Sequence, residues 1–185
     1  SYDLQYGFHK KQNQAGSNQS IDITDNWQVR FDPLMGGPAS FQLSTLSNWA
    51  DIQEEGIRYY SGKAVYNRSF LVTEASLSKG VAAFVVFEDI QEMARVFVNG
   101  NDCGIVWTPP YKTNITPWLK AGENNITVEV INTWNNRIVG DVKNPEGKQY
   151  TKTNAKNKFN GSSPLLKSGL MGKAEILLYN SFKFK

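Results

Sequence analysis

The stretch that decides the fold occupies residues 96–134 and reads VFVNGNDCGIVWTPPYKTNIT followed by PWLKAGENNITVEVINTW. Asn99 and Gly100 separate two apolar runs, and an Asn-Gly pair supplies the positive φ angles that a tight hairpin needs. A turn cluster at 122–124 precedes residues 126–131, where side chains alternate at the two-residue period of a half-buried strand. The stretch therefore predicts a sheet that contains at least one hairpin.

Further strand signals lie on both sides of this stretch. Residues 27–31 and 172–179 alternate apolar and polar side chains, and residues 65–72 give another strand pattern. Residues 81–87 are apolar throughout, which predicts a central strand covered on both faces. No long amphipathic helix pattern is present. Many short strands with turns between them predict an all-β fold, a jelly-roll β-sandwich of the galactose-binding-domain-like kind.

The chain divides into a polar start and an apolar remainder. Residues 9–20 read HKKQNQAGSNQS and contain almost no apolar side chains, which predicts an N-terminal arm or linker over residues 1–20. One β-sandwich domain is expected over residues 21–185, because this length suits a single core. The segment 139–168 is polar and predicts a long loop, either a solvated surface or a contact with an anionic glycan or a neighbouring domain.

The composition argues against several classes of function. The net charge of +3 is slight and dispersed, and no basic helix accompanies it, so we expect no nucleic-acid partner. No apolar run approaches the length of about 20 residues that a membrane span requires. Cys103 is the sole cysteine and His9 the sole histidine, so neither an internal disulfide nor an imidazole metal cluster is predicted.

Candidate ligand-binding or domain-interface residues fall in two aromatic segments. Trp107 and Tyr111 flank two prolines that stiffen the loop between them, and Trp134 is followed by the polar donors Asn135 and Arg137. Sugars stack their C–H faces on such rings and bind amide and guanidinium groups through their hydroxyls. The residues alone leave open that these rings fill the core or anchor a domain interface. The remaining tryptophans are expected in the core: Trp27, Trp49 and Trp118.

Arg137 and Asp141 stand four residues apart in NNRIVGD, after the strand that ends near Trp134. A bend there would bring guanidinium and carboxylate together at the edge of the sandwich, shielded by the tryptophans of the two aromatic segments. The alternative is an exposed loop, in which such a pair contributes only about 0–1 kcal/mol. Upstream, the adjacent Tyr59 and Tyr60 are expected on opposite faces of a strand.

The same residues resemble a known family. The VNG hairpin, the aromatic-Pro-Tyr loop, the IT step and the strand LKAGENNITVEVIN follow in the order found in the sugar-binding β-sandwich of glycosidases related to β-galactosidase and β-glucuronidase. The segments FDPLMGGP, IRYYSGKAVYNRSF, NTWNNRIVGD and SPLLKSGLMG resemble, in the same order, the C-terminal sandwich of large α-L-rhamnosidase-type glycoside hydrolases. The similarity extends from Trp27 to Gly172.

The resemblance implies a glycoside hydrolase of polysaccharide degradation whose catalytic acids lie in a separate barrel. A barrel of about 250 residues has no room beside the sandwich in this chain. The implied function is a non-catalytic, carbohydrate-associated accessory domain that packs beside a catalytic domain and contacts glycan, in a secreted, periplasmic or cell-surface protein.

Two alternatives remain at this stage, an autonomous carbohydrate-binding module and, less favoured, a free-standing glycosidase. Hydrolysis needs two carboxyls about 5 Å or about 6.5–9.5 Å apart, and none of the acids stands in a recognisable catalytic motif. No catalytic residue is therefore assigned. Sandwiches of the galactose-binding-like kind often hold a structural Ca²⁺ through carboxylates and backbone carbonyls, so a calcium ion is left open as an expectation.

Overall fold

The computed structural model describes residues 19–180, with the side chain of residue 156 outside that description. The described strands and helices are, in chain order, β1 (Gln19–Asp22), β2 (Asp25–Arg30), β3 (Phe41–Thr45), α1 (Glu55–Arg58), β4 (Lys63–Val72), β5 (Val81–Gln91), β6 (Met93–Val98), β7 (Asn101–Val106), β8 (Lys112–Asn114), β9 (Gly122–Ile131), α2 (Asn135–Lys143) and β10 (Gly169–Asn180). Short 3₁₀ turns lie between several of them.

The strands form two antiparallel sheets. One has the order β1-β10-β5-β8 and the other the order β3-β2-β4-β9-β6-β7. From β4 onward the chain alternates between the sheets, except where β6 and β7 form a hairpin within the larger one. This alternation of antiparallel strands between two packed sheets is typical of a jelly roll. The prediction of an all-β sandwich is confirmed.

The predicted Asn-Gly hairpin is confirmed. Asn99 has φ 51° and Gly100 has φ 80°, the positive values that a two-residue hairpin turn requires. The register shifts between Val96 and Phe97, so that Cys103 is the extra residue of a bulge in β7. Cys103 is half-buried, and this burial raises the pKa of its thiol.

The core between the sheets includes a group of packed rings. Trp49 stacks on Tyr66 with ring centroids 6.5 Å apart, and its Nε1 donates a 2.6 Å hydrogen bond to Tyr66 Oη. Trp27 is also buried, as the sequence predicts. Trp118 is not in the core but 41% exposed. Its place against the core is taken by the next residue, Leu119.

Several sequence-based boundaries are corrected by the structure. β1 begins at Gln19, inside the predicted arm, while residues 1–18 and 181–185 lie outside the described residues. Tyr59 and Tyr60 do not alternate across a strand, because both are buried in the turn between α1 and β4. The segment predicted as a loop from residue 139 begins inside α2, and a 3₁₀ turn at 154–158 interrupts the remainder.

Candidate functional site

Helix α2 is the element that builds the candidate site. Its sequence NNRIVGDVK contains asparagine, β-branched residues and glycine, which have modest helix propensity. Tertiary hydrogen bonds hold it instead. The buried Asn136 side chain donates to Leu166 O at 2.8 Å and accepts from Leu166 N at 2.8 Å, and the Arg137 amide donates to Ser61 Oγ at 3.1 Å. The helix is therefore fixed to the segments on both sides of it.

Arg137 and Asp141 form the predicted ion pair. Arg137 Nε donates to Asp141 Oδ1 at 3.1 Å, and the two side chains are 8% and 0% exposed. The cause is one helical turn rather than a bend, because residues four apart lie on the same face of a helix. The shielding also differs from the expectation. The Tyr150 ring covers the guanidinium at 4.6 Å, whereas Trp107 and Trp134 are 68% and 53% exposed.

Asp141 also anchors the chain that follows the helix. Its Oδ2 accepts hydrogen bonds from Tyr150 N at 3.0 Å, Thr151 N at 2.7 Å and Thr151 Oγ1 at 2.6 Å. A fully buried carboxylate with these partners does not reach a ligand. Asp141 is a positioning residue that sets Tyr150 over Arg137.

A cleft of about 430 Å³ opens beside α2. We call it the cationic cleft, and its lining residues are Gly36, Glu55, Gly56, Tyr59, Arg137, Gly140, Lys143, Asn144, Lys148 and Tyr150. Two glycines in the lining allow neighbouring side chains to pack against the backbone, where a Cβ would not fit. A Cβ on Gly140 would lie 2.5 Å from Arg137 Nη2, and one on Gly36 would lie 2.6 Å from Tyr150 Cζ.

The charge of the cationic cleft is predominantly positive. Of the residues that the structure describes, three cations line it, Arg137, Lys143 and Lys148, against one carboxylate, Glu55. Lys143 Nζ donates to Tyr59 Oη at 2.7 Å, and this hydrogen bond raises the pKa of Lys143. The Lys143 Nζ lies 3.9 Å from Glu55 Oε1, a loose contact between exposed groups. The cleft can therefore attract an anion.

A second cleft of about 340 Å³ also has Tyr150 in its lining. We call it the Trp134 cleft, and its lining residues are Trp134, Ile138, Tyr150, Thr151, Lys152 and Thr153. The two clefts share Tyr150 as a lining residue. The Trp134 cleft thus presents two aromatic rings with hydroxyl and ammonium groups beside them, which are the groups that bind a sugar.

The predicted site residues are only partly brought together. Asn135 lies next to the Trp134 cleft, where its amide donates to Asn136 Oδ1 at 3.2 Å. Trp107 and the segment that leads to Trp134 leave the larger sheet at the same end. Val106, just before Trp107, and Val130, near the end of β9, both pair with Ala94 of β6. Trp107 lies outside the lining of both clefts, and Tyr111 packs against the core.

Sequence reasoning did not single out Tyr59, Lys143, Lys148 and Tyr150 as site residues. Tyr150 and the two lysines belong to the polar segment that the sequence assigned to a loop. The available signal was the pair Arg137 and Asp141 at helical spacing, which predicts a helix and so places Gly140 and Lys143 on the faces beside the guanidinium.

Other parts of the described structure offer less. A broader cleft of about 620 Å³ contains Arg68, but that side chain already donates to Asp25 O and packs 5.8 Å from the Trp27 ring. No three His, Cys, Asp or Glu side chains of residues 19–180 come together as metal ligands. A structural calcium ion held by carboxylates and backbone carbonyls stays a prediction. The longest helix in the described range has nine residues, and none there could cross a membrane.

Comparison with protein families assigns the domain. The model of the glycosyl hydrolases family 2 sugar binding domain matches residues 15–149. The chain belongs to this family. Its β-sandwich is therefore of the type that glycoside hydrolases carry as a sugar-binding domain, as the sequence resemblance implies.

Individual relatives agree with the family. A protein of Formosa agariphila named "Putative beta-glucuronidase" is 32% identical over 127 residues, which are 69% of this chain and 11% of that protein. A rhamnosidase from a Novosphingobium species superposes with a TM-score of 0.81 at 30% identity, over 89% of this chain and 16% of that one. A Ruminococcus gnavus beta-glucuronidase shares the fold, with a TM-score of 0.61 at 17% identity over 90% and 29% of the two chains. The chain thus spans a small part of these relatives.

Proposed function

We propose that this domain is a non-catalytic, carbohydrate-associated sandwich of a secreted, periplasmic or cell-surface glycoside hydrolase. It packs beside the catalytic domain of the parent enzyme and turns the two clefts of α2 toward glycan. The observation that supports it most is the pair of clefts that share Tyr150, because they combine rings with hydrogen-bond donors on a chain of the sugar-binding family. Flat rings beside a few polar groups are the usual composition of a sugar site.

A separate surface suits the contact with the catalytic domain. Ile105, Trp107 and Ile131 are exposed large apolar side chains. β7 and β9 flank β6, and Ile131 pairs with Met93 at the end where Trp107 leaves β7. A cluster of exposed apolar side chains usually marks a surface that contacts another protein or domain. This outer face of the larger sheet is therefore assigned to the parent enzyme.

A titration of the chain with oligosaccharides tests the glycan assignment. We expect micromolar-to-millimolar binding by calorimetry, because one or two stacked rings contribute only modest free energy. Trp134→Ala should weaken binding about tenfold, which corresponds to about 1.4 kcal/mol. Trp118→Ala is the matched control, since that ring is also exposed but lies away from both clefts. Equal affinity of both variants would contradict the assignment.

An autonomous carbohydrate-binding module is the second candidate, and the exposure of the Trp134 ring favours it. The two candidates differ in what the outer face does. In an accessory domain, Trp107→Ala in the parent enzyme lowers its melting temperature, because the ring is buried against the catalytic domain. In an autonomous module the same change leaves the parent enzyme unaffected.

A further inference from the structure

We propose that the cationic cleft recognises a negatively charged substituent of the glycan, a carboxylate or a sulfate ester, with Arg137 as its anchor. This inference rests on the proposed function, since it names the class of sugar that the site takes. It assigns the anion to the cationic cleft and the neighbouring sugar unit to the Trp134 cleft.

The guanidinium of Arg137 has terminal nitrogens that are available to a ligand. In the described residues its side chain makes one hydrogen bond, from Nε to Asp141 Oδ1 at 3.1 Å, and its backbone amide bonds Ser61. Both terminal nitrogens therefore remain for a ligand, although the side chain is only 8% exposed. These nitrogens still reach solvent, because no buried side-chain nitrogen or oxygen of the described residues lacks a hydrogen-bond partner. A guanidinium that is largely withdrawn from water but open at its terminal nitrogens favours a charge-assisted hydrogen bond to an incoming anion.

Arg137 lines the cationic cleft. Nη2 lies where a Cβ of Gly140 would come within 2.5 Å, and the guanidinium carbon lies 4.6 Å from the Tyr150 ring. Gly140 and Tyr150 both line the cleft. The stack on Tyr150 and the bond to Asp141 fix the plane of the guanidinium. A fixed planar fork matches two oxygens of a carboxylate or a sulfate better than it matches single hydroxyls.

The lysines of the cleft add to the preference for an anion. Lys148 Nζ lies 4.9 Å from the Tyr150 ring, beside the ring that covers Arg137. Lys143 is held by its bond to Tyr59 Oη across the cleft. Asp141 pairs with Arg137 on the same face of the helix but lies outside the cleft lining. Among the described residues, an anion that enters the cleft therefore meets three cations and the one carboxylate of Glu55.

The arrangement of the two clefts suggests how a glycan chain lies. Because both clefts are lined by Tyr150, they are adjacent, and a glycan with one sugar unit in one cleft can place the neighbouring unit in the other. Within residues 19–180, Lys152 is the one cation among the lining residues of the Trp134 cleft, and the cleft offers the more exposed ring, which suits the C–H face of a sugar. The cationic cleft holds the unit that carries the charge.

Nuclear magnetic resonance titrations of the 185-residue chain test the inference with four probes: glucuronic acid, its uncharged methyl ester, glucose 6-sulfate and glucose. We expect at least one of the two anions to bind about tenfold more tightly than its uncharged counterpart, as for a charge-assisted bidentate pair. The ratio between glucuronic acid and glucose 6-sulfate decides between carboxylate and sulfate.

Variants localise the effect. Lys148→Ala should weaken binding of the anion several-fold more than it weakens binding of glucose, whereas Lys79→Ala, at an exposed lysine remote from α2 in sequence, should change neither. Arg137→Lys keeps the charge but loses the fork, so it should remove most of the preference for the anion while the chain stays folded.

The outcomes separate the inference from the proposed function. Equal affinity for each anion and its uncharged counterpart overturns the inference and leaves glycan binding intact. A preference for the anion that survives Arg137→Lys and Lys148→Ala alike also overturns it. Failure to bind any of these probes or any oligosaccharide overturns both proposals.

Discussion

Replacement of Asp141 by alanine should destabilise the domain strongly. The carboxylate is fully buried and accepts hydrogen bonds from Arg137, Tyr150 and Thr151. Loss of one partner of a buried ion pair costs about 3–5 kcal/mol, because the other charge is left unpaired. For a domain of this size about 1 kcal/mol shifts the melting temperature by about 2–4 °C, so we expect a fall of roughly 6–20 °C.

Arg137→Ala should cost less than Asp141→Ala. The carboxylate keeps its hydrogen bonds from Tyr150 and Thr151 when the guanidinium is removed. The loss is then close to one charge-assisted hydrogen bond, about 1.5–3 kcal/mol. The double variant should cost less than the sum of the two single changes, because residues in direct contact couple by about 0.5–3 kcal/mol.

Urea unfolding followed by tryptophan fluorescence measures these differences. Lys63→Ala is the control, since Lys63 pairs with Glu129 at 2.9 Å but is 52% exposed. It should change the free energy of unfolding by no more than about 1 kcal/mol. If Asp141→Ala unfolds at the same urea concentration as Lys63→Ala, the buried network does not hold the 144–151 segment against α2, and the account of the cleft fails.

Three further changes have distinct physical causes. Gly140→Ala places a methyl group 2.7 Å from Tyr59 Cβ, so it should destabilise the domain by about 1–3 kcal/mol and weaken sugar binding. If calorimetry gives this variant the stability and the sugar affinity of the wild type, the close packing at Gly140 is contradicted. Gly100→Val meets no atom within 4 Å, but its φ of 80° is strained for a β-branched residue, so thermal melting should show a loss of about 1–3 kcal/mol. Burial raises the pKa of Tyr66 above its ordinary value of 10.0, so stability is fully present below pH 10 and falls above it; a flat unfolding free energy through that range would show that the hydroxyl is not buried.

The sequence predicts the sheets better than the site, and the reason is physical. Side chains that alternate at a period of two show which face of a strand is buried. The structure therefore has β9 and β10 at the positions where the sequence shows this alternation. Asn-Gly defines its turn locally, so the β6–β7 hairpin is found as well.

Helix α2 has no such local signal. Its residues have modest helix propensity. The bonds that hold it come from Ser61 and Leu166, which are distant in sequence, and from Thr151, which lies beyond the end of the helix. Only the charge pair at spacing four pointed to it. Trp118 was assigned to the core on residue type alone, but burial depends on the turn, which presents Leu119 to the core instead.

The central claim is that glycan binds at α2, and the five tryptophan indole N–H signals measure it most directly. Trp27 and Trp49 donate their indole protons inside the core, while Trp107, Trp118 and Trp134 are exposed at separate places. On titration with a uronate-containing oligosaccharide, the account predicts a saturable shift of the Trp134 signal with the four others unchanged. A shift confined to Trp107 or Trp118, with Trp134 unmoved, would place the glycan elsewhere and contradict the account.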